Sequence, residues 1–191
     1  MNTAGIVLAG GQSSRYGRPK MFEKYKEKLF YQHSVDALLA NQLHPIILST
    51  NHLLADQFHT ASIELAVEYD PYQGPLFAIH HVMRQYEEPE WFFVLSADIP
   101  FIRDTFVRQL LKHRHLDYNA IVPADGEKLQ PLLALYHRRC LPFIEEALGE
   151  GRRSLMALLH MIPFKTVSFS AEPSFININT QLDFHESKKK K

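Results

Sequence analysis

The sequence predicts a single three-layer α/β/α domain with a Rossmann-like, mostly parallel sheet. Short apolar runs that suit buried strands alternate along the chain with segments whose apolar residues recur at helical spacing, which is typical of α/β folds. A length of 191 residues suits one domain with a substantial core, and 46% apolar with 22% charged residues is ordinary for a globular protein. We expect the domain to cover residues 1–187 and a solvated lysine tail to cover 188–191.

The composition argues against several classes of partner. The 21 Lys and Arg residues balance 21 Asp and Glu residues, so the whole chain offers no field that would gather nucleic acid or a membrane surface. The single cysteine, Cys140, cannot form an internal disulfide, and no apolar run approaches the roughly 20 residues that span a bilayer. Because the start also lacks a signal-peptide pattern, we expect a cytoplasmic location.

The first predicted strand, Ile6–Leu8, leads into a glycine-rich and then basic loop. A Gly10-Gly11 pair lets the backbone take unusual angles and approach a ligand closely, and exposed N–H groups in such a turn bind anions. Three positive charges follow, with no acidic residue before them: Arg15, Arg18 and Lys20. This order favours a polyphosphate ligand over a plain surface loop, although it matches neither a Walker loop nor a dinucleotide fingerprint.

A short hairpin with its turn at Lys26-Glu27 and then a helix come next in the prediction. The following strand, Pro45–Leu48, ends close to Asn51. Ligands of open α/β sheets gather at strand ends, so Asn51 is a candidate ligand contact. A cap for the next helix is an equally good interpretation of this residue.

A third strand, Leu65–Val67, runs into a turn that contains Asp70, which on its own is an ordinary turn residue before a proline. Pro75 suits the first turn of a helix, where its missing N–H costs nothing. The apolar residues that follow recur on one helical face. A helix N-terminus at this position would add positive potential near a bound nucleotide.

The most continuous apolar run, Trp91–Leu95, predicts a strand that ends just before Asp98. A carboxylate past a buried strand, in the same layer as the glycine loop, suits Mg²⁺, which commonly bridges a carboxylate to substrate phosphates. The alternative is a helix cap before Phe101. Beyond it, Gln130–Tyr136 predicts a strand, one that can run antiparallel to the others, with Pro131 disfavouring a central ladder position at its early end.

The glycine loop resembles the motif L-A-G-G-x-S-x-R-x-G-x-x-K of the molybdenum cofactor guanylyltransferases (the molybdopterin-guanine dinucleotide biosynthesis protein A family), within a wider family of nucleotidyltransferases. The matching residues are Leu8, Ala9, Gly10, Gly11, Ser13, Arg15, Gly17 and Lys20. Further matching elements follow in the family's order: Asp70 with Gly74-Pro75-Leu76, Asp98 before Pro100, Gln130–Tyr136, and Phe175–Thr180. The chain departs from the family pattern at Tyr16, Phe77-Ala78 and Gln181-Leu182.

This resemblance implies a nucleotide-diphospho-sugar transferase type of fold. It also implies transfer of GMP from GTP to the phosphate of molybdopterin-bound molybdenum cofactor, with release of pyrophosphate and with Mg²⁺ as cofactor. The implied catalytic residues are Arg15, Lys20 and Asp98, the last also being the metal ligand. The implied GTP-binding residues are Leu8, Ala9, Gly10, Gly11, Lys20, Asn51, Asp70 and Asp98, with Asp70 recognising guanine. The implied residues for the pterin substrate are Gln130, Asn177 and Asn179.

The implied partners are therefore GTP and molybdopterin or molybdenum cofactor, with transient contacts to other cofactor-biosynthesis proteins or recipient enzymes. Two alternatives stay open at this point. The same loop can serve a cytidylyltransferase or a sugar-1-phosphate nucleotidyltransferase, and the chain can be a nucleotide-binding regulator that performs no chemistry. Release of pyrophosphate from GTP in the presence of the pterin separates an enzyme from a regulator.

Overall fold

A central sheet of eight strands runs through the protein, whose computed structural model describes residues 1–176, 178 and 180–184. Its strands are β1 (Thr3–Leu8), β4 (Ile46–Asn51), β5 (Glu64–Glu68), β6 (Trp91–Ser96), β7 (Ala120–Asp125), β8 (Lys128–Leu129), β9 (Leu135–His137) and β10 (Phe164–Phe169). Seven of them lie in the order β10-β7-β9-β6-β1-β4-β5, and β8 pairs with β7. Strand β9 is antiparallel to both of its neighbours, β6 and β7, whereas β1 is parallel to β4 and β6. The predicted antiparallel strand in a mostly parallel sheet is thus confirmed.

The two faces of the sheet are covered, in the described part of the chain, by helices α1 (Phe30–Leu39), α2 (Pro75–Gln85), α3 (Asp104–Leu111), α4 (Leu141–Gly149) and α5 (Leu155–Leu159). Successive residues of a strand point to opposite faces, so neighbours in β1 enter different cores. Ile6 packs into the core with helices α2, α4 and α5, whereas Val7 packs into the core with α1 and α3. Burial on both faces explains why these strands are continuous apolar runs.

The predicted hairpin between the glycine loop and α1 is present as β2 (Lys24–Tyr25) and β3 (Lys28–Leu29). Lys26 and Glu27 form its turn with φ angles of 46° and 64°. Two consecutive positive φ values give the turn the twist that a two-residue hairpin needs. The hairpin region contributes to a third apolar cluster, whose members are Tyr16, Tyr25, Phe30, Phe101, Ile178 and Phe184.

The strand predicted over Gln130–Tyr136 is wrong in its first half. Pro131 begins a 3-10 helix, Pro131–Leu133, and β9 starts only at Leu135. The turn is held by the Tyr136 hydroxyl, which donates to the Pro131 carbonyl oxygen at 2.8 Å. Pro131, which was expected to disfavour pairing at its own position, therefore keeps residues 131–133 out of the hydrogen-bonded sheet.

The helix predicted from Pro75 is confirmed, because α2 begins at that proline with Gly74 as its N-cap residue. Gly74 has a φ of 92°, a left-handed conformation that glycine adopts at low cost. In the described part of the chain, no helix is both long and apolar enough to cross a bilayer.

Candidate active site

Strands β1, β4, β5 and β6 all end at the same edge of the sheet, and the candidate site lies at this edge. The parallel register pairs Leu8 with Ser49 on one side and with Ser96 on the other. The Ala9 amide continues the ladder by donating to the Ser49 carbonyl oxygen at 2.8 Å, and the Ala97 amide donates to the Leu8 carbonyl oxygen at 3.0 Å. The loops that follow β1 and β6 therefore leave the sheet side by side.

Buried polar side chains at the end of β4 hold the start of the glycine loop. The Thr50 hydroxyl donates to the Ala9 carbonyl oxygen at 3.2 Å, and the Asn51 amide nitrogen donates to the Gly10 carbonyl oxygen at 3.1 Å. The Asn51 side-chain oxygen accepts from the Leu53 amide at 3.1 Å. Asn51 thus makes a local turn bond and also tethers the loop. Nucleotide contact by Asn51 stays a prediction.

The unusual backbone angles of the loop fall on residues other than the glycine pair, which corrects the expectation for Gly10-Gly11. Ser13 and Gly17 have positive φ angles, 51° and 84°, whereas Gly10 and Gly11 do not. A Cβ atom at Gly11 would meet nothing within 4 Å in the protein. Since Gly11 lines the site, the missing side chain leaves room for a ligand and does not relieve backbone strain.

Ser13 organises the middle of the loop. Its carbonyl oxygen accepts from the Tyr16 amide at 2.9 Å and from the Gly17 amide at 3.2 Å. Its side-chain oxygen accepts from the Lys20 amide at 3.2 Å. These bonds place Lys20 where the loop turns back toward the sheet.

Lys20 and Asp98 form an ion pair in the wall of the first of two adjoining cavities at this edge of the sheet. The Lys20 ammonium lies 2.5 Å from Asp98 Oδ2 and donates to the Ile178 carbonyl oxygen at 3.0 Å. The Ser96 hydroxyl donates to Asp98 Oδ1. Helix α3 begins later, at Asp104, so Asp98 caps no helix and the alternative considered for it is wrong. The pair is 14% and 21% exposed, which leaves both groups accessible from the cavity.

This first cavity has a volume of about 300 Å³. It is lined by Leu8, Gly11, Gln12, Ser13, Ser14, Arg15, Lys20, Met21, Ser96, Ala97 and Asp98. The cavity therefore combines two cations, one carboxylate and several hydroxyl groups in a space bordered by loop backbone, a composition that suits a polyphosphate.

The three cations expected to act together are separated by the structure. Arg15 is exposed and lines the first cavity beside Lys20. Arg18 forms an ion pair with Glu23 and lines a different cavity, near the hairpin. The buried Tyr16 hydroxyl also donates to Glu23 at 3.0 Å, and burial raises the pKa of Tyr16 to about 12. Arg18 therefore lies on the hairpin side of the loop and does not line the first cavity.

A second cavity, of about 360 Å³, adjoins the first and shares Leu8, Gly11, Gln12 and Ser96 with it. Its other lining residues are Gly10, Ser49, Glu68, Tyr72, Gln73, Gly74, Pro75, Ala78 and Leu132. Together the two cavities reach from the Lys20–Asp98 pair to the beginning of α2.

Some sequence-predicted residues lie elsewhere. Asp70 is exposed and lines neither cavity, and Gln130 is buried at the start of the 3-10 helix, also outside both. Asn177 and Asn179 lie outside the described residues. Ligand contacts by these four residues stay predictions.

Sequence reasoning gave no site role to several residues that the structure brings to the two cavities, among them Ser13, Glu68 and Tyr72. Ser13 belongs to the loop motif, and its positive φ and side-chain bond to Lys20 follow from no simple pattern. Glu68 and Tyr72 line the second cavity, on either side of the predicted Asp70. An acidic residue at the end of a strand was the available signal for Glu68, since ligands of parallel sheets bind at strand ends.

An enzyme that moves a nucleotidyl group needs space for a triphosphate with counter-charges and an adjoining space for a base. The two joined cavities offer both, at the edge of a parallel sheet where ligands of this class bind. Fold and site together define a nucleotidyltransferase.

Comparison with known proteins narrows this class. The family model of the MobA-like NTP transferase domain matches residues 5–164, and the chain belongs to this family. A probable molybdenum cofactor guanylyltransferase from Geobacillus sp. (strain WCH70) is 35% identical over 190 residues, which cover 96% of each protein.

Solved structures share the fold. Molybdopterin-guanine dinucleotide biosynthesis protein A from Archaeoglobus fulgidus superposes with a TM-score of 0.79 at 21% identity over 97% of each chain. A Mycobacterium tuberculosis H37Rv protein solved as a complex with manganese superposes with a TM-score of 0.73 at 12% identity, again over 97% of each chain. These similarities confirm the predicted fold class.

Proposed function

We propose that the chain transfers GMP from GTP to the phosphate of molybdopterin-bound molybdenum cofactor and releases pyrophosphate. The names of the curated relatives support the guanylyl transfer and the cofactor substrate. The single structural observation that carries the proposal is the junction of the two cavities at Gly11. A nucleotide with its triphosphate beside Lys20 and its base beside Pro75 would pass Gly11 at this junction, which also includes Leu8, Gln12 and Ser96.

The reaction is the attack of an acceptor phosphate oxygen on the α-phosphorus of GTP. Phosphoryl-type transfer asks the protein mainly for positioning and charge stabilisation. In this proposal Lys20 and Arg15 bind the β- and γ-phosphates and stabilise the departing pyrophosphate, together with backbone N–H groups of the Gly10-Gly11 turn. The acceptor phosphate is already ionised near neutral pH, so no general base is assigned.

Asp98 is the proposed ligand for Mg²⁺. Its carboxylate supplies the hard oxygen atoms that this ion prefers, and Ser96 and Lys20 hold it at the cavity wall. Within the described residues no group of three or more His, Cys, Asp or Glu side chains can hold a metal by itself. A single carboxylate fits an ion that takes its other ligands from phosphates and water. Bound there, Mg²⁺ would neutralise charge on the triphosphate.

The binding site of the acceptor, molybdopterin-bound molybdenum cofactor, is proposed to lie next to Lys20, where Ile178 reaches the first cavity. The bond between the Lys20 ammonium and the Ile178 carbonyl oxygen brings this late part of the chain to the first cavity. Asn177 and Asn179 remain the proposed pterin contacts, on the resemblance described above. Gln130 also remains a proposed pterin contact on that resemblance, and it is buried at the start of the 3-10 helix.

The test is a pair of measurements on the purified protein. A thermal-shift panel compares GTP, ATP, CTP and UTP with and without Mg²⁺, and we expect the largest stabilisation from GTP with Mg²⁺. Pyrophosphate release is then measured with and without molybdenum cofactor, and we expect release only when nucleotide and acceptor are both present. If the protein uses CTP as well as GTP, the guanylyl transfer proposed here is wrong and cytidylyl transfer takes its place. Binding without pyrophosphate release would leave a nucleotide-binding regulator.

A further inference from the structure

Tyr16 is the buried residue of the glycine loop. Its side chain is 3% exposed, whereas the other residues of 11–20 are half-buried or exposed. Its ring packs into the third apolar cluster, which also contains Ile178, whose carbonyl oxygen accepts from Lys20. The Gln181 side chain donates to the Tyr16 carbonyl oxygen at 3.4 Å. The loop is therefore anchored to the rest of the protein at Tyr16.

Glu23 binds the loop on both sides of Gly17. The Tyr16 hydroxyl donates to Glu23 Oε2 at 3.0 Å, and the Arg18 guanidinium donates to Glu23 Oε1. Gly17 lies between the two donors and has a φ of 84°, in the left-handed region. A carboxylate that accepts from both flanking residues restricts the turn at this glycine. We call Tyr16, Arg18 and Glu23 together the carboxylate clamp.

The clamp is tied to a rigid element through the backbone of Glu23. The Glu23 amide donates to the Lys20 carbonyl oxygen at 3.0 Å. The Glu23 carbonyl oxygen accepts at 2.9 Å from the amide of Phe30, the first residue of α1. Because α1 packs against the sheet, the clamp connects the glycine loop with the core of the domain.

The clamp lies on the side of the loop that faces away from the first cavity. All three of its residues line the cavity near the hairpin, and none of them lines the first cavity. The loop motif described above leaves positions 16 and 18 open, so the clamp is not part of that motif. An effect of the clamp on a ligand in the first cavity must therefore pass through the loop backbone.

We propose that Tyr16 and Glu23 are positioning residues that hold the glycine loop in its phosphate-binding conformation before the nucleotide arrives. The apparent dissociation constant equals the intrinsic constant divided by the fraction of protein whose site is ready to bind. A clamped loop keeps this fraction high, because less ordering is left to the binding step. This inference rests on the proposed function, because it assumes that a polyphosphate occupies the first cavity.

The test measures dissociation constants for GTP and for inorganic tripolyphosphate in wild type, Tyr16→Phe and Tyr86→Phe. Hydrogen exchange follows the Tyr16 and Gly17 amides, which donate to the Ser13 carbonyl oxygen. Tyr86→Phe is the matched control, because the Tyr86 hydroxyl also bonds to a glutamate, Glu64, and burial likewise raises the pKa of Tyr86 to about 12. Tyr86 lines neither the first nor the second cavity.

We expect Tyr16→Phe to weaken binding of both ligands by about three- to tenfold, the effect of one hydrogen bond. The two loop amides should exchange faster in the free variant and return to the wild-type rate with tripolyphosphate. The KM for GTP should rise while kcat stays within about twofold of wild type, because the bound ligand restores the loop. Tyr86→Phe should change none of these quantities.

A double-mutant cycle connects the hydroxyl with the carboxylate. Glu23→Ala should weaken tripolyphosphate binding more than Tyr16→Phe does, because it also releases Arg18. Addition of Tyr16→Phe to Glu23→Ala should then weaken binding by less than about twofold further, since the acceptor is already gone. Glu23→Met, which fills a similar volume without an acceptor, is used if Glu23→Ala does not fold.

Unchanged dissociation constants in Tyr16→Phe overturn the proposal even if the melting temperature falls, because the bond would then have a structural role only. Equal effects of Tyr16→Phe and Tyr86→Phe, or effects that multiply in the cycle, also overturn it. Equal use of CTP and GTP by wild type refutes guanylyl transfer and leaves this inference intact, because tripolyphosphate carries no base. Failure of wild type to bind tripolyphosphate would refute the phosphate site and this inference together.

Discussion

The first cavity is lined by two short stretches of chain, 11–21 around Lys20 and 96–98 around Asp98, together with Leu8, whereas the second draws on five separate segments. The first presents charges already paired with each other, and the second presents apolar walls around one buried carboxyl group. This difference matches the tasks proposed for the two cavities, which are phosphate binding in the first and base selection in the second. Phosphates are bound by consecutive backbone amides and mobile cations, whereas a base edge requires side chains fixed by the register of different strands.

If residues of the first cavity carry out the reaction and residues of the second select the base, substitutions in the two cavities should change different measured quantities. The largest effect is expected from Asp98→Asn, which removes the proposed metal ligand and the partner of Lys20. We expect turnover to fall at least about hundredfold, as for loss of one key electrostatic group, while the melting temperature changes little.

Asp36→Asn is the control, because Asp36 also pairs with a lysine, Lys28, but on an exposed helix surface. Exposed pairs contribute little to stability, so this variant should resemble wild type in every assay. Turnover of Asp98→Asn within a few-fold of wild type at limiting Mg²⁺ would remove Asp98 from the site.

The second effect in size is expected from Lys20→Ala. Loss of a charge-assisted hydrogen bond to phosphate should weaken GTP binding by about ten- to hundredfold. Because phosphates are common to all nucleotides, binding of ITP should weaken by the same factor. Lys112→Ala, a substitution at the exposed end of α3, is the control and should change neither dissociation constant. Equal effects of Lys20→Ala and Lys112→Ala would mean that both charges act only through the overall electrostatic field of the protein.

A third experiment compares two glycines of the same loop. Gly11→Ala should weaken GTP binding by about tenfold without loss of stability, because the new Cβ meets no protein atom and projects toward the ligand. Gly17→Ala should lower the free energy of unfolding by about 1 kcal/mol, because its φ of 84° is unfavourable for alanine. Chemical denaturation and calorimetric titration distinguish the two. A destabilised Gly11→Ala would contradict the assignment of its role.

The smallest expected effect concerns the pH dependence of stability at Glu68. Its pKa in the folded protein is raised by burial, so the unfolded chain loses this proton first as pH rises. Below pH 4 the group is protonated in both states and contributes nothing. Above its unfolded pKa it increasingly destabilises the fold, until the folded pKa is passed. Glu68→Gln should therefore match wild type at pH 4 and be the more stable protein at pH 7 to 8.

Urea denaturation between pH 4 and pH 8 checks the sign of the stability difference between Glu68→Gln and wild type. A Gln variant that is less stable at pH 7 would mean that the carboxyl group stabilises the sheet instead of being retained for ligand binding.

These two regions also differ in how far the sequence predicts them. Lys20 and Asp98 are 78 positions apart, yet both follow apolar runs that predict strands of one parallel sheet. Because the carboxyl ends of such strands meet at one edge, the fold class predicts both residues at that edge. Apart from Ser96 and Ala97, which adjoin Asp98, the remaining residues of the first cavity come from the end of β1 and the glycine loop, and the loop motif covers several of them.

The position of Glu68 at a strand end was a signal, but its burial does not follow from the sequence. At the end of a five-residue strand, a glutamate predicts a solvated edge, and only the register with β4 and the bond from Ser49 bury it. Likewise, apolar spacing extends a strand through Leu132 and Leu133, where Pro131 in fact starts a 3-10 helix. Tertiary pairing overrode local preference at Glu68, whereas at Pro131 the local effect of the proline overrode the apolar pattern.

The bond from Lys20 to the Ile178 carbonyl oxygen has a consequence for biosynthesis of the protein. The glycine loop emerges first from the ribosome, but its surroundings include Ile178 and Phe184, and the Gln181 side chain donates to the Tyr16 carbonyl oxygen at 3.4 Å. A nascent chain that has already paired β1, β4 and β6 still lacks these contacts. Translation therefore supplies the surroundings of the glycine loop last, and an incomplete chain released early would carry the paired strands without these contacts.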